Sequence, residues 1–326
     1  KNITYLASVR RAYLQLLFSL IDLPIRPNYW DFQTKINYSI NKKLNLSFIG
    51  IGALDEFSFT APKEASPEKL YVINANPTIH QNSYTLGLSL KKAIPKGFWS
   101  LSISRNYLNN DLDKFEDNND PVESERILGI RSKETENKLR FDVSQNINGW
   151  KIAYGAMAQL VDYDNNTFNV VRKSLTDSDG TVVQPELVVN FTSPFRPMLK
   201  MGAFTQVSRR FMDNRIGISG GLRIDRNDFT TDGRSFLKTL SPRLSLSYLI
   251  SDHWTASLSA GRYFKIPPYT ILGFADNNGV AVNKNVQYLR SDHITGGIEF
   301  MPGEATRFTL EGFYKNYNNV PISKRD

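Results

Sequence analysis

The chain has 326 residues, of which 40% are hydrophobic and 22% are charged, and its formal net charge is +8. It contains no cysteine, which excludes disulfides and thiolate metal sites, and it has no run of the roughly 18 to 20 apolar residues that a membrane-spanning helix needs. The basic side chains are spread along the chain without a basic helix, a zinc knuckle or an RNA-binding signature, which argues against nucleic-acid binding; a basic barrel lumen or an anionic lipid surface accounts for the same charge.

The first forty residues predict two strands separated by an apolar segment. Residues 1–10 alternate between apolar and polar side chains, and residues 30–40 do so more cleanly, which is the period of a strand with two unlike faces. Segment 14–25 is apolar but is interrupted by polar residues and by Pro24, so it predicts a short amphipathic helix or a rim segment. Asn41-Lys42-Lys43 then predicts a short turn.

The rest of the chain alternates between short turns and long polar connections. Consecutive strand patterns are joined by short turns such as Pro95-Lys96-Gly97 and Met212-Asp213-Asn214. Five long polar segments separate the resulting pairs: 53–82, 109–124, 162–194, 226–239 and 265–292. Short periplasmic turns and long extracellular loops are typical of outer-membrane barrels, whereas no rule sorts the loops of a soluble sandwich or propeller in this way.

Residues 240–318 show the pattern most clearly because a strand, a turn and a second strand occur there twice. Leu246 and Leu258 fall on the apolar side of the first hairpin, and Ser245 and Ser257 fall on its polar side. In a soluble sandwich the apolar face would pack against a second sheet. In a membrane barrel it would face lipid instead.

Aromatic residues favour the barrel. Trp99, Trp150 and Trp254 each open a strand just after a short turn, with the parity of the apolar face, and three further rings stand on that face just before short turns. An amphipathic ring at the edge of an apolar band is what a membrane interface selects. The predicted membrane girdle is Trp99, Trp150, Trp254, Tyr38, Tyr248 and Phe300.

The strand patterns number about thirteen, whereas a closed bacterial barrel has an even number. An open sheet edge is not viable in lipid because its backbone groups have no water to bond. The chain is therefore predicted to be part of a longer barrel. No signal peptide begins at Lys1, so the chain is expected to be mature, processed or cut.

Charged residues on the polar parity are predicted to face the lumen, because a charge in mid-bilayer lipid costs about 2 to 4 kcal/mol. They are expected to pair with each other or with a plug more often than to contact substrate. The set is Lys35, Arg140, Lys200, Arg223, Arg243, Glu299, Arg307, Glu311 and Lys315. Aromatic residues of the long loops, namely Tyr71, Tyr269 and Phe274, are the predicted ligand contacts.

No catalytic or metal-binding constellation is predicted. Three scattered histidines are typical of solvated positions, and no nucleophile elbow, zinc-binding histidine pair or phosphate-binding glycine loop is present. An acidic cluster at 111–120 lacks the glycine and terminal glutamate of an EF-hand loop, so it predicts a solvated acidic loop. We expect neither enzymatic activity nor a cofactor.

Several short motifs resemble TonB-dependent outer-membrane receptors. Leu240-Ser241-Pro242-Arg243, Gly261-Arg262-Tyr263-Phe264 and Pro267-Pro268-Tyr269 resemble the later barrel strands, and Arg10-Arg11-Ala12-Tyr13-Leu14 is similar to an earlier strand of the form common in Bacteroidetes-type bacteria. The resemblance implies a roughly 22-stranded barrel with a plugged lumen. Nothing recognisable as the plug, the TonB-contacting segment or the closing strands is present, so residues 1–326 are expected to be barrel wall.

The expected fold is thus an all-β, transmembrane antiparallel β-barrel in the outer membrane. The resemblance implies TonB-energised import of a scarce or large ligand, such as an iron chelate, cobalamin, a glycan or a peptide. Implied partners are membrane lipid, TonB acting through the plug, and a surface lipoprotein. A structural or assembly barrel without transport activity, and a soluble β-sandwich adhesin, are the alternatives.

Overall fold

One long antiparallel sheet dominates the computed structural model, which describes residues 2–118, 120–193, 197–276 and 278–322. Thirteen strands of the described chain follow one another in the sheet, and a further strand, β10, pairs with β7. β8 and β9 form a separate two-stranded sheet. The strands are β1 (Ile3–Arg11), β2 (Ile25–Asn41), β3 (Leu44–Phe59), β4 (Thr78–Ile94), β5 (Gly97–Phe115), β6 (Arg126–Ile147), β7 (Trp150–Arg172), β8 (Leu175–Thr176), β9 (Val182–Gln184), β10 (Leu187–Thr192), β11 (Met198–Phe211), β12 (Ile216–Asn227), β13 (Ser241–Ser251), β14 (Trp254–Lys265), β15 (Leu289–Gly303) and β16 (Thr306–Asn318).

Helices are short and lie in the connections. They are α1 (Leu14–Leu20), α2 (Pro67–Ala75) and α3 (Tyr269–Leu272), with 3-10 turns at Glu123–Glu125, Asp232–Arg234 and Phe236–Thr239. The helix expected in segment 14–25 is therefore present as α1. Within the described residues, no helix is long and apolar enough to cross a membrane.

The strand register separates two unlike faces of the sheet. Leu246 on β13 lies opposite Leu258 on β14, and Ser245 lies opposite Ser259. We call the face with Leu246 the apolar face and the face with Ser245 the polar face. Leu246 is 42% exposed and Leu258 is 53% exposed, and the described residues form no second large sheet that covers them. The soluble sandwich, which requires such a cover, is not the observed fold.

Short turns join the strands at one end of the sheet, as predicted. At the β6–β7 turn, Asn148 and Gly149 have φ values of 50° and 81°. Two consecutive left-handed residues, and an Asn-Gly pair in particular, suit a two-residue hairpin whose twist matches that of its strands.

Three of the predicted long loops are shorter than expected because the strands extend into them. β3 continues to Phe59 and β4 begins at Thr78, β5 continues to Phe115, and β7 continues to Arg172. The prediction that 53–82, 109–124 and 162–194 are long loops is therefore wrong at their ends, and segment 162–194 also contains β8, β9 and β10. In these extensions polar and apolar side chains are mixed on both faces, so the regular alternation that marks a half-buried strand is absent from their sequence.

Candidate functional site on the polar face

The register places all nine of the predicted lumen-facing charges on the polar face. For example, Lys200 on β11 lies opposite Gln159 on β7, and Gln159 lies opposite Lys138 on β6. The side chains of one row of an antiparallel sheet point the same way. The face that the sequence alternation predicted for each of these nine residues is thus the face on which the structure places it.

Two of these charges are paired with carboxylates two residues away in the same strand. Arg140 donates from Nε to Asp142 Oδ2 at 2.7 Å and from Nη2 to Oδ1 at 2.8 Å. Arg223 donates to both oxygens of Asp225 at 2.8 and 2.6 Å. Bidentate pairs of this kind fix the planar guanidinium as well as its charge.

Asp142 and Asp225 were not among the predicted site residues, although their signal is in the sequence. Each occupies the third position of an Arg-x-Asp triplet, and residues two apart share a strand face. Glu299 and Arg307, both predicted, pair across β15 and β16. Within the described residues, Lys35, Arg243, Glu311 and Lys315 form no ion pair.

The β14–β15 connection folds onto the polar face and is anchored there by Tyr269. The Tyr269 hydroxyl donates to Glu136 Oε1 on β6 at 2.6 Å, and Lys200 Nζ on β11 donates to the same hydroxyl at 2.7 Å. Burial, together with the hydrogen bond to Glu136, raises the pKa of Tyr269. The hydroxyl therefore stays protonated and bridges two oppositely charged side chains. Glu136 was missed because its partner lies 133 residues away.

A small apolar core forms beneath this connection. Val161 and Tyr163 of β7 and Met198 of β11 pack with Leu272 of α3, and all four are almost fully buried. Val161 lies opposite Glu136 in the register, so the cluster is on the polar face. The sheet therefore has its buried core on the polar side, at the end where the long connections lie.

Asn227, at the end of β12, makes a second anchor for the same connection. It is fully buried, and its Nδ2 donates to the Tyr288 hydroxyl at 3.0 Å and to Thr230 Oγ1 at 3.0 Å. Its Oδ1 accepts from the backbone nitrogens of Phe229 and Thr230 at 2.9 and 2.8 Å. A buried amide with its hydrogen bonds satisfied favours one loop conformation over others.

The three predicted ligand aromatics lie in different settings. Tyr71 is 73% exposed on α2, so it belongs to a helix in the β3–β4 connection and not to an irregular loop. Phe274 packs against Phe191 of β10 with ring centroids 4.9 Å apart. Tyr269 is held by the wall as described above. Among the described contacts, none joins these three residues to one another. Ligand contact by them stays a prediction.

A separate contact ties the β1–β2 connection to the β3–β4 connection. The Asp22 carboxylate accepts hydrogen bonds from Lys69 Nζ at 2.5 Å and from the backbone nitrogen of Lys63 at 3.0 Å. The hydrogen bond from Lys69 and the backbone hydrogen bond from Lys63 lower the pKa of Asp22 to about 2. This contact joins two long connections at one end of the sheet.

The acidic cluster at 111–120 differs from its prediction. Asp111 and Asp113 lie within β5, and Asp113 pairs with Arg126 at 3.1 Å and with Arg131 at 2.8 Å. The expectation of a solvated acidic loop is therefore wrong for Asp111 and Asp113, because cross-strand arginines on β6 accompany these carboxylates. The described residues contain no group of three or more metal-ligating side chains.

The six predicted girdle aromatics all lie on the apolar face near short turns. Trp254 and Phe300 stack at 4.5 Å between ring centroids, and the Trp150 ring lies 5.1 Å from the Arg209 guanidinium carbon. The sequence prediction missed a second aromatic row, in which Tyr84 and Tyr107 stack at 5.2 Å.

The second row lies at the opposite end of the apolar band. Trp99 and Tyr107 are on the same face of β5, so at about 3.3 Å per residue and a tilt of about 40° their heights differ by about 20 Å. An apolar band of an outer-membrane barrel is about 25 Å tall between its aromatic girdles. The two rows are about 5 Å closer together than that height, and their role as membrane girdles stays a prediction.

A family model described as TonB dependent receptor-like, beta-barrel, matches residues 25–326. No curated protein sequence matches the chain.

Several solved structures have a similar fold. The copper transporter OprC aligns with a TM-score of 0.64 and 14% identity over 96% of this chain and 49% of its own. The ferric enterobactin receptor PfeA from Pseudomonas aeruginosa aligns at 0.65 and 13%, over 97% and 49%. The alcaligin outer-membrane receptor FauA from Bordetella pertussis aligns at 0.60 and 11%, over 98% and 46%. The chain therefore spans about half the length of these proteins.

Proposed function

Because the chain belongs to the TonB-dependent receptor β-barrel family, we propose that it is the wall of an outer-membrane receptor that imports a scarce or large ligand with energy supplied through TonB. The chain is an outer-membrane β-barrel segment of a Gram-negative bacterium. In the proposal its apolar face contacts lipid, and its polar face lines the lumen through which the ligand passes.

The observation that carries the proposal is the separation of the two faces across thirteen consecutive strands. A lipid-facing charge in mid-bilayer costs about 2 to 4 kcal/mol, whereas the same charge is tolerated in an aqueous lumen. The nine charged residues identified from the sequence all fall on the polar face. The β14–β15 connection, which Tyr269 and Tyr288 hold on the polar face, covers part of that face at the long-loop end. In the proposal an incoming ligand contacts this connection first.

The ligand class rests on the solved structures of similar fold. Their names describe a copper transporter and receptors for ferric enterobactin and alcaligin, so metal chelates are the first candidates. Cobalamin, glycans and peptides are the remaining candidates. The proposed partners are TonB, which acts through a plug region, and a surface lipoprotein at the long-loop end.

Uptake by whole cells tests the proposal. Cells that express the full-length receptor would be given radiolabelled ferric enterobactin, ferric alcaligin, cobalamin, an oligosaccharide and a peptide, with and without functional TonB. Accumulation of one probe that requires both the receptor and TonB is expected. A receptor that assembles in the outer membrane but accumulates none of them would favour a structural or assembly barrel.

A further inference from the structure

The polar face contains a groove of about 420 Å³ that is lined by three arginines, Arg140, Arg223 and Arg243. Two aromatic rings complete the wall, because Phe204 and Tyr263 also line the groove. The guanidinium carbon of Arg140 is 5.8 Å from the centre of the Phe204 ring, and that of Arg243 is 4.4 Å from the centre of the Tyr263 ring. The groove thus places three guanidinium groups beside two aromatic rings, and Asp142 and Asp225 offset the charge of two of the three.

The three arginines differ in how far their charge is compensated. Arg140 and Arg223 are each held by the carboxylate two residues further along their own strand. Arg243, by contrast, is exposed and has no ion pair or hydrogen bond among the described contacts. One guanidinium of the three is thus free to bind an anion.

Glycines keep Arg243 accessible and oriented. Its register partners on both neighbouring strands are glycines, Gly221 on β12 and Gly261 on β14. A Cβ at position 261 would lie 3.0 Å from the Tyr263 hydroxyl oxygen, so the Tyr263 ring lies down over this glycine. The ring therefore presents its face to Arg243, and neither register partner of Arg243 has a side chain that could block the guanidinium group. Stacking on Tyr263 fixes the plane of the guanidinium group before an anion binds.

We propose that Arg243 binds a carboxylate or phosphate group in the lumen, with Tyr263 as the residue that positions it. A guanidinium offers parallel N–H donors that match the two oxygens of such an anion. The inference rests on the proposed function for its setting, because the groove is a luminal site only in a receptor barrel. The same oxyanion chemistry has two possible sources: a soluble anion that passes through the lumen, and an acidic side chain of the plug.

Arginine modification tests the site without any transport. The full-length receptor would be treated with phenylglyoxal, and adducts would be located by peptide mass spectrometry. If a soluble anion is the ligand, Arg243 reacts about tenfold faster than the carboxylate-paired Arg140 and Arg223. Added benzoate or phosphate then slows Arg243 several-fold. Arg210, a polar-face arginine in another groove, serves as the internal control and keeps its rate.

The second source gives a different and equally specific result. If a plug carboxylate occupies the site, Arg243 is slow from the start. In the Arg243→Lys variant, carbodiimide then joins the introduced amine to an acidic side chain of the plug. That cross-link supports the oxyanion site as directly as protection by benzoate does.

Substitution at Gly261 tests the positioning role. Gly261→Ala displaces the Tyr263 ring while leaving every charge in place, so it should reduce protection by benzoate, or the yield of the cross-link, several-fold. Gly312→Ala, where an added Cβ meets nothing within 4 Å, is the matched control.

Two results would overturn the inference: an Arg243 that reacts rapidly with no protection by either anion, and an Arg243 that is slow and gives no cross-link. Neither depends on uptake, so failure of the transport proposal and failure of this site are separable.

Discussion

A charged residue in place of Leu258 tests most sharply whether the apolar face contacts lipid or water. Leu258 is four residues beyond Trp254 on the same face of β14. At about 3.3 Å per residue and a tilt of about 40°, it lies about 10 Å from the level of that tryptophan. The apolar band is about 25 Å tall, so Leu258 is close to its middle. Leu246, its register partner on β13, lies at the same depth.

The expected cost follows from that depth. A lysine at the bilayer midplane of a barrel costs about 2 to 4 kcal/mol, which corresponds to a decrease of about 30-fold to 1,000-fold in the folding equilibrium constant. Leu246→Lys and Leu258→Lys should each show this loss. Ser245→Lys and Ser257→Lys, one residue away on the polar face, should lose little because their ammonium groups enter an aqueous lumen.

Equilibrium unfolding of the full-length receptor in lipid vesicles measures these differences, and the electrophoretic shift of folded barrels in outer membranes reports assembly. The four variants carry the same charge change, so the difference between the two parities isolates the environment. Equal losses at both parities would refute the assignment of the two faces.

Three further changes test particular contacts. Tyr269→Phe removes the hydroxyl that bridges β6 and β11, so it should weaken docking of the β14–β15 connection by about 1 to 3 kcal/mol, measured as faster amide exchange in residues 266–288. The pKa of Asp22 is lowered to about 2, so the stabilisation from its contact with Lys69 should be fully present above a pH of about 4 and should be lost as the pH falls toward 2. Protease cleavage between residues 60 and 66 should therefore increase as the pH falls over that range. In the Asp22→Asn variant this cleavage should not depend on pH. Gly155→Ala would place a Cβ 2.7 Å from the Phe204 ring and should cost about 1 to 3 kcal/mol in unfolding free energy, whereas Gly312→Ala should be neutral.

Much of the architecture could be predicted from the sequence because the membrane imposes a simple rule on it. Where a strand crosses the apolar band, as Trp254 to Ala260 does, every second residue must be apolar, and the alternation gives both the strand and its faces. Family membership and the thirteen strands that follow one another in the large sheet were likewise predicted correctly, whereas β8, β9 and β10 were not predicted.

The parts that sequence reasoning missed lie outside that rule. At the outer ends of β3, β5 and β7 apolar and polar residues do not alternate regularly, so no period-two pattern separates strand from loop there. The contact between Tyr269 and Glu136 joins residues far apart in the chain, and no local pattern predicts such a pair. The Arg-x-Asp pairs were predictable by parity, since residues two apart share a strand face.

Accessibility along β14 tests the central claim most directly. These 326 residues contain no cysteine, so single cysteines at positions 255–260 can be spin-labelled in bilayers once any cysteine elsewhere in the full-length receptor has been replaced. Collision with oxygen should peak at 256, 258 and 260, and collision with a water-soluble nickel chelate should peak at 255, 257 and 259. Uniform access of the nickel chelate to all six positions, or the reverse alternation, would contradict a lipid-facing apolar side.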